Sequence, residues 1–222
     1  MNMANNVIAY VGNESFDIIL YLSGLLKNMG YKVLLVDYSE TKALTCSLPQ
    51  IPGINTDDDY ITYRKVDFTT KGIDHKILEL YDDILIDCGM SCPHMDYSLL
   101  TRVVYVTDLF EFNLNRISKL DLYNNLEIET ALLIRNAANS KLTTQYILSI
   151  LKKDIPEEMI TILYRDDADY ENSLFCHYNK VFRFSHISWM MKNYLVSEVK
   201  ILYKELTNRQ IRLIYAKARK GE

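Results

Sequence analysis

Glycine and proline are scarce in this chain, seven and four in 222 residues. That leaves little room for flexible linkers or low-complexity spacers, and no internal repeat is visible. Cysteine is thin as well: Cys46, Cys88, Cys92 and Cys176 are irregularly spaced. A disulfide framework is excluded on that count, and reduced thiols with a cytoplasmic address are expected. No apolar run approaches the length of a membrane-spanning helix, and residues 1–6 are polar, with too short an apolar strand after them for a secretory signal. Strong charge of one sign is also missing. The net charge of −4 argues against a nucleic-acid binder working by bulk electrostatics. What remains is ordinary globular composition, 49 % hydrophobic and 24 % charged, enough for one domain with a substantial core.

The most organised stretch is 7–37, VIAYVGNESFDIILYLSGLLKNMGYKVLLVD. Its first five residues form an apolar run ending at Gly12, as in a strand buried on both faces. Asn13 and Ser15 offer N-caps, and Glu14 and Asp17 place negative charge on a first helical turn. Phe16, Ile19, Leu20, Leu26 and Met29 recur at helical spacing, while Ser23 and Gly24 allow close approach to a sheet. Gly30 ends the helix, and a second buried strand closes on Asp37. This is a βαβ unit, whose first turn would seat a phosphate on the helix N-terminus. A phosphate cradle needs several glycines and a lysine. Here the turn offers Gly12, no lysine, and Glu14 facing the position where phosphates would lie. Chemically, it repels phosphate.

Further along, strands are expected at 61–68 (an edge strand), 83–87, 102–107, 130–135 and 159–164, with a brief one at 181–184. Helices are expected at 73–81, 110–123, 141–152 and 169–176, and a long one over 187–206. The irregular stretch 39–59 reads as a loop. Alternating strands and helices predict an α/β fold, a mostly parallel, doubly wound sheet of about seven strands with helices on both faces. Residues 1–208 would form that domain and 209–222 a basic C-terminal tail.

The glycine-turn helix, then VLLVDYSE, then YDDILIDCG two elements later, resembles the MinD/ParA group of deviant Walker-type ATPases. VVYVT, LLIRN with Asn136, and ITILYRDD follow in matching order, so the resemblance runs from Val7 to Leu206. It implies that Asp37 and Asp87 sit where the family manages magnesium and the attacking water. It also exposes a departure. The family's Lys-Gly-Gly-x-Gly-Lys-Thr loop is replaced by the shorter Gly12-Asn13-Glu14-Ser15, with no counterpart to either lysine. Losing that loop removes several charge-assisted hydrogen bonds, each worth roughly 1.5–3 kcal/mol. The chain therefore resembles a degenerate, pseudo-ATPase member, nearest in type to the TadZ/CpaE-like proteins that position pilus or secretion machinery.

Two function classes follow. One is a non-catalytic localisation or assembly scaffold without a cofactor, working as a homodimer with protein partners and no nucleic acid. The alternative is an ATPase or switch that binds ATP and magnesium, or phosphate, at an atypical site on the carboxyl edge of the sheet. Minor constellations have plain readings beside sharper ones. Asp57-Asp58-Asp59 is a solvated run rather than a metal site. Cys88, Cys92 and His94, with Cys176 and His177, are zinc-type ligands at non-standard spacing. Asp87 with Thr107 suggests a receiver-type phosphoacceptor, but Asn13-Glu14 is a poor acidic pair and Arg135 a poor substitute for the receiver lysine. At the end of the chain, Arg209, Arg212, Lys217, Arg219 and Lys220 flank Ile211, Ile214, Tyr215 and Ala218. They form either a basic amphipathic helix for an anionic membrane or the polar last turns of the helix begun at Ile187.

Overall fold

Hydrophobic strands and capped helices alternate along the chain as the sequence implies. The computed structural model describes residues 6–49, 60–90, 95–120 and 128–220. In chain order its elements are β1 (Asn6–Gly12), α1 (Phe16–Met29), β2 (Val33–Asp37), α2 (Ala43–Cys46), β3 (Ile61–Tyr63), β4 (Val66–Thr69), α3 (His75–Leu78) and β5 (Asp83–Gly89). They continue with β6 (Arg102–Thr107), α4 (Glu111–Ser118), β7 (Glu129–Ala137), α5 (Thr144–Leu151), β8 (Ile160–Tyr164), α6 (Asp167–Asn179), α7 (Trp189–Leu202) and α8 (Asn208–Lys220). The strands form one eight-stranded sheet in the order β3-β4-β2-β5-β1-β6-β7-β8. Every neighbouring pair is parallel except β3 and β4.

Strand periodicity divides the core in two. Ile8 and Tyr10 of β1, Leu35 and Leu85 face α1, α7 and α8. Val7, Ala9 and Val11, with Leu34, Ile84 and Ile86, face Leu114 and Ile117 of α4 and Ile147 and Leu151 of α5. Helices thus cover both faces, as a parallel sheet requires. α1 is more deeply enclosed than its spacing suggested, since every residue from Asp17 to Leu26 is buried. The small Gly24 serves a different neighbour from the one expected: a Cβ there would lie 2.8 Å from the Phe184 ring, not against the sheet.

Several expectations need correction. The run 61–68 is not one strand but the antiparallel hairpin β3–β4, which raises the strand count to eight. Its turn residues Arg64 and Lys65 both have positive φ, 52° and 65°, and nothing in the sequence announces a turn there. Residues 181–184 form no strand; Phe182 and Phe184 are instead core side chains over α1. The helix over 187–206 ends at Leu202, and α8 is a separate helix packed along α1. Ile211, Tyr215 and Ala218 are buried there. The apolar face read as a membrane surface is therefore occupied inside the fold, while Arg209, Arg212, Lys217, Arg219 and Lys220 stay exposed.

Candidate functional site

β1 delivers the turn 12–15 to the carboxyl edge of the sheet. Gly12 has φ +131°, and a Cβ on it would fall 2.0 Å from the Val106 carbonyl oxygen. Only glycine fits, because β6 runs against it and Asn13 donates its amide to Val106 O at 2.8 Å. The glycine serves strand contact rather than a phosphate wrap. Ser15 takes the N-cap position of α1, but its side chain caps no amide. Its hydroxyl is buried without a partner. Glu14 is exposed beside it.

A cation does reach this turn, from 118 residues away. Arg135, near the end of β7, places its guanidinium against both oxygens of Asp17 at 2.8 and 2.6 Å and donates to the Glu14 carbonyl at 2.7 Å. Burial works against its charge, yet Asp17 outweighs that and holds Arg135 above its ordinary range. The bidentate pair neutralises the guanidinium at the helix terminus. The next residue, Asn136, adopts φ 53° where the β7–β8 register slips.

Asp37 closes β2, and its register partner Asp87 lies two residues before the end of β5. Asp37 accepts from the amide and hydroxyl of Ser39 at 3.2 and 2.6 Å, and from those of Thr45, both at 2.9 Å. It fastens the loop after β2 and the short helix α2. Among the described residues, Asp87 accepts only the Gly89 amide through Oδ1, at 3.0 Å, and its Oδ2 is buried without a partner. Burial pushes its pKa up to about 7; the Gly89 amide opposes this, and Asp37, Glu14 and Asp17 reinforce it.

Above these groups lies an open cleft of about 400 Å³, lined among others by Gly12, Asn13, Glu14, Glu40, Arg116 and Arg135. A smaller one of about 180 Å³ adjoins it, between Phe16, Asp17, Tyr164, Asp166, Asp169 and Tyr170. Phe110 and Phe112, stacked at 5.5 Å on the neighbouring loop and helix, are 64 % and 63 % exposed.

The structure thus brings Gly12, Asn13, Glu14, Ser15, Asp37 and Asp87 to one edge and adds Arg135, which the sequence reading set aside as a poor lysine. The other constellations do not converge. Cys88 is buried in the core, and Cys176 lies near Tyr21 and the Arg183 amide. His177 meets the Ser47 hydroxyl. Cys92, His94 and Asp57-Asp58-Asp59 lie outside the described residues, among which no group of three or more ligating side chains could hold a metal. As a receiver acceptor, Asp87 would have to be open, and it is 1 % exposed. Thr107 is fully buried.

No family model and no curated protein matches the chain. Solved structures do. A ParA family ATPase from Chlorobium tepidum TLS is 15 % identical, with 97 % of this chain and 98 % of that chain covered and a TM-score of 0.58. The septum site-determining protein MinD from Pyrococcus horikoshii OT3, complexed with Mg-ADP, is 15 % identical over 98 % and 96 % of the two chains, with a TM-score of 0.53. A MinC:MinD complex from Aquifex aeolicus matches at 14 % identity over 98 % and 96 %, with a TM-score of 0.54. At such identities the likeness establishes the fold: this chain has the α/β architecture of those ATPases.

Proposed function

We propose that this chain is a non-catalytic, pseudo-ATPase version of the MinD/ParA fold that acts as a localisation or assembly scaffold. The observation that carries this reading is the occupied helix terminus after β1. Where a nucleotide-binding member would present glycine amides and lysines, Glu14 stands open and Arg135 is held by Asp17. Arg116 lines the outer wall of the cleft, but Glu14 and Glu40 line it as well. Beneath them, Asp87 is raised first by burial and then by Asp37, Glu14 and Asp17, and those neighbouring acids disfavour bound phosphates.

Protein partners fit the same edge. The exposed Phe110 and Phe112 beside the cleft are aromatic anchors of the kind that interfaces use. The chain would act as a homodimer, and the MinC:MinD complex offers a precedent for partner docking on this fold. By analogy with TadZ/CpaE-like proteins, the machinery positioned would be a pilus or secretion apparatus. Any membrane contact would rest on the exposed basic residues of α8 alone.

The test is thermal unfolding with and without Mg-ATP and Mg-ADP. A ligand at a hundredfold its dissociation constant stabilises the native state by about 2.7 kcal/mol. No rise in midpoint is expected at the carboxyl edge. A clear rise, or steady phosphate release abolished by Asp87→Asn, would replace the scaffold reading with that of an atypical ATPase or switch.

A further inference from the structure

The opposite, amino-terminal edge of the sheet holds a larger cleft of about 550 Å³, which the scaffold reading does not use. Lys27 at the end of α1, Lys32 before β2 and Lys65 in the β3–β4 turn line it, with Tyr31 and Tyr81 as walls. Among the described residues, none of the three lysines forms an ion pair with a carboxylate. Burial holds Lys27 below the usual lysine range, and Arg64 and Lys65 lower it further, so these cations crowd one another. One carboxylate, Asp67, also lines the cleft, against the three lysines. Asp67 accepts the hydroxyls of Thr62 and Tyr81, and Asp82 accepts the Lys32 amide at 2.8 Å.

The local backbone points the same way. A two-residue hairpin loop with positive φ at both positions favours Asn-Gly. This one carries Arg64 and Lys65 at 52° and 65° instead, a choice that lowers stability and projects two cations beside Lys27. The negative end of α1, which would repel an anion, is covered. Gly30 donates its amide to Lys27 O at 3.0 Å, and Lys217 reaches Asn28 O at 3.2 Å.

We propose that this cleft binds phosphoryl groups, carried by a soluble polyphosphate or a lipid headgroup, through Lys27, Lys32 and Lys65. A lone carboxylate would satisfy one ammonium group. A phosphoryl group brings up to about two negative charges and three acceptor oxygens to a convergent set.

The experiment titrates tripolyphosphate into the full chain at low salt, by calorimetry and by thermal shift, and measures co-sedimentation with anionic vesicles. Three proteins are compared: the parent chain, Lys32→Glu/Lys65→Glu, and Arg64→Asn/Lys65→Gly. The last should be the more stable fold, so a loss of binding there cannot be blamed on unfolding. Binding should weaken by roughly tenfold or more per lost charge-assisted contact. Charge reversal at the distant, exposed Lys141 should leave it unchanged. Tripolyphosphate binding lost in both variants supports a soluble ligand; vesicle binding alone, lost in the same variants, supports a headgroup. Overturning results are no binding of either probe by the parent chain, binding that survives both variants, or equal binding of poly-glutamate. Because ATP carries a triphosphate, the nucleotide test above is read in Lys32→Glu/Lys65→Glu, where only the carboxyl edge remains.

Discussion

Asp87 lies beside Asp37 at the end of the neighbouring strand, with Oδ2 unpartnered among the described residues and Asp37, Glu14 and Asp17 adding negative potential around it. Ionising a buried carboxyl there opposes folding. Asp87→Asn keeps its shape, preserves the acceptor for the Gly89 amide and removes the charge. It should raise stability by about 2–4 kcal/mol near neutral pH, at about 1.4 kcal/mol per unit of pKa difference. Urea unfolding at about pH 8 checks this, and a loss of stability would mean that Asp87 has a cationic partner which the fold does not reveal. The candidate site was legible residue by residue but not as a set of bonds. Gly12, Asp37 and Asp87 announce themselves as strand ends in sequence, and Ser15 as a helix cap. The Arg135–Asp17 pair does not, because only the β1-β6-β7 order brings residues so far apart in sequence to one helix terminus.

At the scale of elements, α8 shows how a basic, amphipathic sequence can be core. Tyr215 packs edge-on to Phe184 at 5.8 Å, donates its hydroxyl to Phe184 O at 2.8 Å, and has Lys192 over its ring at 4.6 Å. Phe184 in turn closes on Gly24 of α1, so α8 seals the helix that carries the β1 turn. Tyr215→Ala should therefore destabilise the fold by about 3–5 kcal/mol. Leu213→Ala, on the 62 % exposed face, should change it by less than about 0.5 kcal/mol. Circular dichroism melts of the two variants make the comparison; equal, small losses would mean that α8 is dispensable. Periodicity identified the apolar stripe of α8 correctly, but a stripe does not say whether lipid or protein covers it. The hairpin turn was missed for a complementary reason: Arg64-Lys65 lacks the glycine and asparagine by which such turns are recognised.

For the molecule as a whole, three buried carboxyls set the response to pH. Asp83 is pushed up to about 6 and Asp87 and Glu198 to about 7, burial being the leading cause in each. Around Glu198 the low dielectric is shared with Arg102, 3.1 Å away, and with the buried tyrosines Tyr10 and Tyr194. Each of these acids binds its proton more tightly in the folded than in the unfolded chain. Folding therefore takes up protons between about pH 4 and about pH 7, and stability falls as pH rises through that window. The urea midpoint should be higher at about pH 5 than at about pH 8, with a shallower slope in Glu198→Gln. A midpoint that does not fall over the same range would mean that these three carboxyls are not held protonated in the fold.

The sequence by itself determined the layered α/β architecture, because buried parallel strands and capped helices leave local signatures in apolar runs, glycine stops and strand-end acids. It also determined that the first turn lacks the lysine and glycines of a phosphate cradle, since chemistry absent from a segment can be read directly. The tertiary structure alone decided which charges meet: Arg135 with Asp17 at one edge of the sheet, and Lys27, Lys32 and Lys65 at the other. Those juxtapositions depend on strand order and on how helices cover the sheet. They arise from contacts between residues that no local pattern links.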